Sequence, residues 1–316
     1  MREAEQLWHI SKSKSTLKKV SLENPNTKTL GLARSLYSNI SLGTEKMVAS
    51  GDIPESLWDT MKVPYQLGGF ELPISYGYSL VVELEKQIYH LMHPHHSLCL
   101  VNKNNLTLIP EDLDPKTATQ ISNMETVINA IWESNPQPSD TILICGFGSI
   151  GSLLAITLWK EYNLKVCIKE VNSCKIEIAE SLGFQTSNHP DNFSICFNTT
   201  ANNEAMQYCI DRSQEEGKIF ELSWYGNKKA ILDLGGVFHT NRLQIKAVQV
   251  SNIPFHKRKS ENFKTRKSRA IGILLNHQNT YDKLISNIVS IEKSPEFFDH
   301  LRTTNHTDEI LNLIHY

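Results

Sequence analysis

A chain of 316 residues, 40% hydrophobic and 21% charged, has the composition of ordinary globular protein and the length for about two domains, each with its own core. Its formal net charge of −2 gives no general attraction to nucleic acid or to an anionic membrane surface. No stretch approaches the roughly 20 apolar residues of a membrane span, and MREAEQLWHISKSKSTLKKV at the start lacks the apolar core of a signal peptide.

The first third reads as β structure. Short runs rich in apolar, β-branched or aromatic residues cover Leu30 to Ile40, Tyr76 to Leu84, Ile88 to Met92 and Leu98 to Val101, punctuated by GGFELP and HPHH. Many short strands before any strong helix suggest a barrel or sandwich. Near Pro110 the pattern changes. Asp114 before Pro115 is a helix start, and Ser122 with Glu125 has the form of a capping box. Met124, Val127, Ile128, Ile131 and Trp132 then fall on one helical face, until PQPSD breaks the chain.

From Thr141 strands and helices alternate. The strands expected are 141–145, Val166 to Val171, Ser194 to Asn198, Lys218 to Leu222 and, last in the sheet, Leu243 to Val250. Between them come a helix lined by Ile150, Leu153, Leu154 and Leu158, one capped by Ser173 and ending at Gly183, and one from Asn203 to Glu216 stopped by Gly217. Such alternation means a parallel α/β sheet. The basic run HKRKSENFKTRKSR (256–269) leads into a further helix ending near Leu275.

The sharpest motif is GFGSIG at 146–151, at the end of a strand and the start of a helix. Gly146 allows a tight turn, Gly148 lets a pyrophosphate approach bare backbone, and Gly151 lets helix pack on strand. The free N–H groups of Phe147, Ser149 and Ile150 and the positive helix end then face phosphate. Glu170, nineteen residues beyond Gly151, ends the next strand and is placed to accept both ribose hydroxyls. A carboxylate there repels a 2′-phosphate, so NAD(H) is favoured over NADP(H), a preference that nearby Lys169 and Lys175 weaken. S-adenosylmethionine methyltransferases use the same parts, a glycine-rich turn and a later acid, and remain an alternative.

NISLGTE (39–45), YGY (76–78) followed by Ser79, and METVINAI (124–131) carry a family resemblance. With the order β-rich domain, linking helix, Rossmann domain and short return, the chain resembles the medium-chain dehydrogenase/reductase superfamily, and within it a zinc-lacking group of zinc-type alcohol dehydrogenase-like proteins. The resemblance implies α/β architecture: a Rossmann doubly wound parallel sheet at 122–287 and a GroES-like β-barrel catalytic domain at 1–121 and 288–316. The zinc ligands of the relatives fall on Leu42, Tyr78 and Ser122. Leucine cannot bind zinc and the others are poor ligands, so no metal is expected. The six cysteines form no CxxC pair and read as free, mostly buried thiols of a reducing cytoplasm, without a structural zinc cluster.

Without zinc, a hydroxyl, imidazole or carboxyl must manage the proton on substrate oxygen. Thr44 stands at the family's proton-relay hydroxyl, and Tyr78 at the zinc histidine. His93 and His95, two apart on an extended segment, face one side and suit acid/base work, although a metal would lack an identifiable third ligand. Glu125 is a buried acid or base, or only half of its capping box. Asn123 and Thr126 are placed to touch nicotinamide. Thr199 to Ala201 and Ser223 to Gly226, with Trp224 and Tyr225, end Rossmann strands where ligands bind. His239 and Arg242 offer charge for an acidic substrate, or lie on the surface. The edge strand near Leu243–Val250 invites pairing into a homodimer. The reading is a cytoplasmic, zinc-independent dehydrogenase or reductase acting on a small-molecule substrate; the alternative is a non-catalytic dinucleotide sensor on the same fold.

Overall fold

The computed structural model describes residues 1–25, 27–304 and 307–316. They form two units, one of Met1–Ser122, Ile285–Thr307 and Leu311–Tyr316, the other of Asn123–Leu284 and Asp308–Ile310.

In chain order the first unit contains β1 (Arg2–Ser11), β2 (Lys14–Leu22), β3 (Leu30–Ile40), α1 (Leu42–Ser50), β4 (Leu67–Gly68), β5 (Ile74–Ser75), β6 (Leu80–Leu84), β7 (Gln87–Leu91), β8 (Leu98–Asn102), β9 (Thr107–Leu108) and α2 (Pro115–Ala118). The helix α3 (Ile121–Ser134) leads into the second unit, with β10 (Ile142–Cys145), α4 (Ser149–Tyr162), β11 (Val166–Lys169), α5 (Ser173–Ser181), β12 (Phe193–Asn198), α6 (Asn203–Asp211), β13 (Ser213–Glu221), α7 (Val237–Thr240), β14 (Gln244–Ala247), α8 (Phe263–Asn276) and α9 (Gln278–Tyr281). The first unit then takes β15 (Ile285–Ser290), α10 (Ser294–Thr303) and β16 (Leu311–His315).

The first unit has two sheets, ordered β2-β1-β5-β4 and β15-β16-β3-β6-β7-β9, with β8 also on β3. The β1–β2 hairpin escapes the apolar pattern because Gln6 and His9 take buried positions on β1 beside Ala4 and Leu7. Two apolar clusters hold the unit. Leu80, Val82, Leu91 and Val101 pack with Ala33 and Cys99, and Leu7, Ile40 and Ala49 pack with Phe298, Leu301 and Ile314. The C-terminal strand thus completes a sheet built mostly from the first hundred residues.

The second unit is a five-stranded parallel sheet in the order β11-β10-β12-β13-β14. The chain leaves β10 toward β11 on one side and returns to β12 on the other, so the strand order reverses between β10 and β12. Crevices at such reversals, outside the carboxyl ends of the strands, take ligands. Leu143, Cys145, Cys196, Ile219 and Leu243 form a buried layer with Met206, Cys209 and Ile210 of α6. No helix of the described residues is long and apolar enough to cross a membrane.

Several local expectations are corrected. Gly217 does not stop a helix: α6 ends at Asp211 and Gly217 lies inside β13, where the pairing with β12 shifts register. A Cβ on Gly217 would meet the Gln214 carbonyl at 2.8 Å, so the glycine serves a strand irregularity. Asn172, not Ser173, caps α5, its side chain accepting from Lys175 N–H. Ser122 and Glu125 form no capping box, because α3 already begins at Ile121. The last strand is shorter than expected, four exposed residues at the sheet edge. The six cysteines are free thiols, but Cys174 is exposed.

Candidate active site

The glycine turn shows why two of its three glycines are required, and leaves the third facing open space. Gly146 has φ +98, which disfavours any side chain, and a Cβ there would press on Thr199 Oγ1 at 2.6 Å. On Gly151 a Cβ would strike the Gly146 carbonyl at 2.0 Å, so α4 can approach β10 only through hydrogen. Gly148 is different: a Cβ there meets nothing within 4 Å, and the residue caps α4 in extended backbone. The space above it is open, as a cradle for pyrophosphate needs, and the first N–H groups of a fourteen-residue helix lack intrahelical acceptors.

Glu170 is bound to this turn. Its Oε2 accepts from Phe147 N–H at 2.7 Å, and Oε1 accepts from Val171 and Asn172 N–H at 2.7 and 3.0 Å. Oε1 is thereby filled and Oε2 keeps one accepting position, since a carboxylate offers about four lone-pair positions in all. Lys175 lies in the field of Glu170, Glu309 and Asp308, and burial lowers its ammonium below the ordinary range against their pull. Thr199 Oγ1 donates to the Cys145 carbonyl at 3.0 Å and lies 3.3 Å from the Gly146 carbonyl, so it braces the turn. Ser149 donates its hydroxyl to the Ile310 carbonyl at 2.7 Å. Phe147 is a core residue in contact with Phe184, and Ile150 and Thr126 are half-buried on α4 and α3.

Two residues the sequence reading passed over stand at the strand ends beside the turn. Asn198 ends β12 and donates from Nδ2 to Glu221 Oε2 at 2.7 Å, while Tyr225 O–H donates to the same oxygen at 3.2 Å. Ser223 N–H donates to Glu221 Oε1 at 2.8 Å. Burial raises the Glu221 carboxyl above its usual range, opposed by these donors. Both residues close apolar strands, where nothing in the local pattern distinguishes them.

The first unit gathers hydroxyls around Tyr78. Its phenol is hydrogen-bonded by the side chains of Ser41 and Thr44, and burial with the nearby Glu45 charge pushes it up to about 12. Glu45, buried on α1, accepts from Ser41 N–H at 3.0 Å and from His95 Nε2 at 2.8 Å. On its other side His95 Nδ1 is hydrogen-bonded with Ser38 Oγ, 2.7 Å away, and Ser38 Oγ with the Tyr316 hydroxyl at 2.8 Å. Glu45 lies inside the GTE of the family-like segment, so its position was visible; its partner His95 was not. Thr44 and Tyr78 are therefore brought together. Glu125 belongs to the other unit, where it meets buried Arg266 (Nε at 3.3 Å) and Lys267 (3.8 Å).

His93 and His95 do not face one side. Residues 92–97 bend instead of continuing a strand, which removes the two-residue alternation. His95 goes to Glu45, whereas His93 lies against Tyr65 and His96. The expected pair His93 and His95 gains no third ligand, but His93 groups instead with His96 and Cys99, whose ligand atoms lie within 4.8 Å of one another.

At the position of the relatives' zinc the donors do not suit the metal. Ser122 donates its hydroxyl to the Tyr78 carbonyl at 2.9 Å, so two of the three positions meet, and Leu42 starts α1 between Ser41 and Thr44. One position is a hydrocarbon, one a hydrogen-bonded phenol and one a hydroxyl already donating, a set without thiolate or imidazole.

No protein-family model matches the chain, and no curated protein matches it significantly. Solved structures do. A short chain alcohol dehydrogenase from Escherichia coli CFT073 complexed with NADH shares 12% identity and superposes with a TM-score of 0.73, all of both chains being covered. Staphylococcus aureus TarJ in complex with NADPH gives 0.71 at 14% identity, and 2R,3R-butanediol dehydrogenase from Bacillus subtilis 0.74 at 12%, each covering 99% of both chains. The chain has the fold of these dehydrogenases. At such identities it is the architecture that is shared, and the expected α/β class with a Rossmann-type parallel sheet is confirmed.

Proposed function

We propose that the protein is an oxidoreductase moving hydride between a nicotinamide dinucleotide and an alcohol, carbonyl or enone, with no zinc ion at the reacting oxygen. One observation carries this reading: Gly146 and Gly151 each meet a steric demand of the turn, Gly148 leaves open space above the helix start where a pyrophosphate fits, and Glu170 is tied to the same turn. When bound, the nicotinamide ring supplies or accepts the hydride.

The chain's own residues do the rest. The N–H groups at the start of α4 hold the diphosphate. Glu170 Oε2 accepts an adenosine ribose hydroxyl and the carboxylate disfavours a 2′-phosphate, while Lys175 is balanced by Glu170, Asp308 and Glu309, so NAD(H) is preferred to NADP(H). Tyr78, a phenol near 12 and hence protonated at neutral pH, gives its proton to the substrate oxygen during reduction. Thr44 and Ser41 orient it, and the Glu45–His95 pair sets the field around it. Glu125 is assigned to neutralising Arg266 and takes no part in the chemistry. The exposed edge strand β14 supports pairing into a homodimer, and the free thiols suit a reducing cytoplasm.

Titration with NADH and NADPH, followed by nicotinamide fluorescence, tests the reading; absence of affinity for both overturns it. A non-catalytic dinucleotide sensor is favoured by the unsuitable zinc position. It is separated by hydride exchange from deuterated cofactor into a panel of ketones and enones, which only an enzyme performs. Binding of S-adenosylmethionine in place of either dinucleotide would return the methyltransferase reading.

A further inference from the structure

We propose that His93, His96 and Cys99 form a binding site for one divalent metal ion of the zinc class, remote in sequence from the family's zinc position and serving to hold the 93–99 segment in place. The three residues follow the spacing H-x-x-H-x-x-C, and all are buried, with 3%, 4% and 1% of their surfaces exposed. A ring nitrogen from each histidine and the Cys99 sulfur lie within 4.8 Å of one another. His93 Nδ1 is 3.6 Å from Cys99 Sγ, and the two imidazoles meet edge to face at 4.9 Å between centroids. Tetrahedral zinc bound by nitrogen and sulfur needs ligand separations of about 3.3–3.7 Å, so a small inward shift of side chains closes the site.

A hydrogen bond already orients His96 as metal ligands are oriented. Ser75 donates its hydroxyl to the Leu7 carbonyl at 2.7 Å, so it can only accept from His96 Nε2, 2.9 Å away, leaving Nδ1 of His96 with its lone pair. Such outer partners fix tautomer and ring angle in metal sites. In His93 it is Nδ1 that lies beside Cys99, and the Pro94 carbonyl is 2.9 Å from that nitrogen, so ligation through it takes the tautomer with the proton on Nε2 and gives up the bond to Pro94. Binding forms the metal–sulfur bond and releases the Cys99 S–H proton to solvent. Two imidazoles and one thiolate select zinc or cobalt over magnesium or calcium, and leave a fourth position for water.

The test uses the full chain, stripped by chelator and kept reduced, titrated with cobalt(II). The expected result is one equivalent bound, with a thiolate-to-cobalt charge-transfer band in the near ultraviolet, tetrahedral d–d bands in the visible, and displacement of both by zinc. Cys99→Ser abolishes the charge-transfer band, and Ser75→Ala, which keeps all three ligands, weakens cobalt about 10- to 100-fold. If Cys99→Ser does not fold, alkylation of wild-type Cys99 followed by mass spectrometry decides: zinc protects it. No charge-transfer band in the wild type, a band that persists in Cys99→Ser, or equal alkylation with and without zinc overturns the proposal. NADH affinity reads the second unit separately, so failure here leaves the hydride reading standing.

Discussion

Phe147 N–H donates to Glu170 Oε2 at 2.7 Å, so the acid that ends β11 is joined to the backbone between the first two glycines of the turn. That bond makes Glu170 a brace of the turn, and the proposed function adds the ribose to its contacts. Replacing it, as in Glu170→Ala, removes charge-assisted bonds worth about 1.5–3 kcal/mol each, so NADH binding weakens about 10- to 100-fold. NADPH, which gains relief from repulsion, loses less. Paired fluorescence titrations check this; equal losses for both cofactors would mean that Glu170 only braces the turn.

Alanine at Gly148 and at Gly151 is expected to have opposite effects. Gly148 has open space where its Cβ would stand, so Gly148→Ala leaves the urea midpoint unchanged and strikes only dinucleotide affinity. Gly151→Ala drives a methyl to 2.0 Å from a backbone carbonyl and costs about 1–3 kcal/mol of stability. Urea unfolding and NADH titration of the two variants, side by side, resolve the difference.

Tyr78→Phe keeps the ring and deletes the proton donor. A positioned acid contributes about 10²- to 10⁴-fold, and kcat for ketone reduction falls by that factor while NADH affinity stays put. Unchanged turnover would pass the proton donor's role to Thr44.

Alkaline pH destabilises the first unit through the same phenol. In the unfolded chain tyrosine ionises near 10, whereas native Tyr78 holds its proton to about 12. The native state then binds more protons than the unfolded one, so stability, fully present below 10, is lost as pH rises toward 12. Tyr76 and Tyr316 are raised by burial as well and act in the same direction. Urea midpoints measured across this range fall in the wild type, and less steeply in Tyr78→Phe.

Glu125→Ala strands a buried guanidinium. Arg266 also donates to Asn129 Oδ1 at 2.9 Å and to the Val250 carbonyl at 2.7 Å, which hold it in place without its counter-charge. Breaking a buried pair in this way costs about 3–5 kcal/mol. A variant as stable as the parent but slower in turnover would restore Glu125 to the chemistry.

The sequence reading was strongest where one short segment carries the whole constraint. GFGSIG needs no distant partner to be recognised, because strand, turn and helix follow in order and two of its glycines, Gly146 and Gly151, answer to neighbours within the same unit. β3 was located to the residue, and the alternation of strands and helices after Thr141 follows from apolar periodicity alone. The β1–β2 hairpin was missed because buried Gln6 and His9 interrupt that periodicity. Glu221 and Asn198 were missed because each closes an apolar strand and becomes distinctive only when β12 and β13 lie side by side.

Local order along the chain determined the glycine turn and the parallel sheet, since these depend on residue type and spacing over a few dozen positions. Partners were decided by tertiary structure: His95 goes to Glu45 across 50 residues, Glu125 to Arg266 across 141, and Tyr316 to Ser38 across 278. A buried polar group must find a hydrogen-bond partner wherever the fold places one, and sequence distance has no bearing on which it meets.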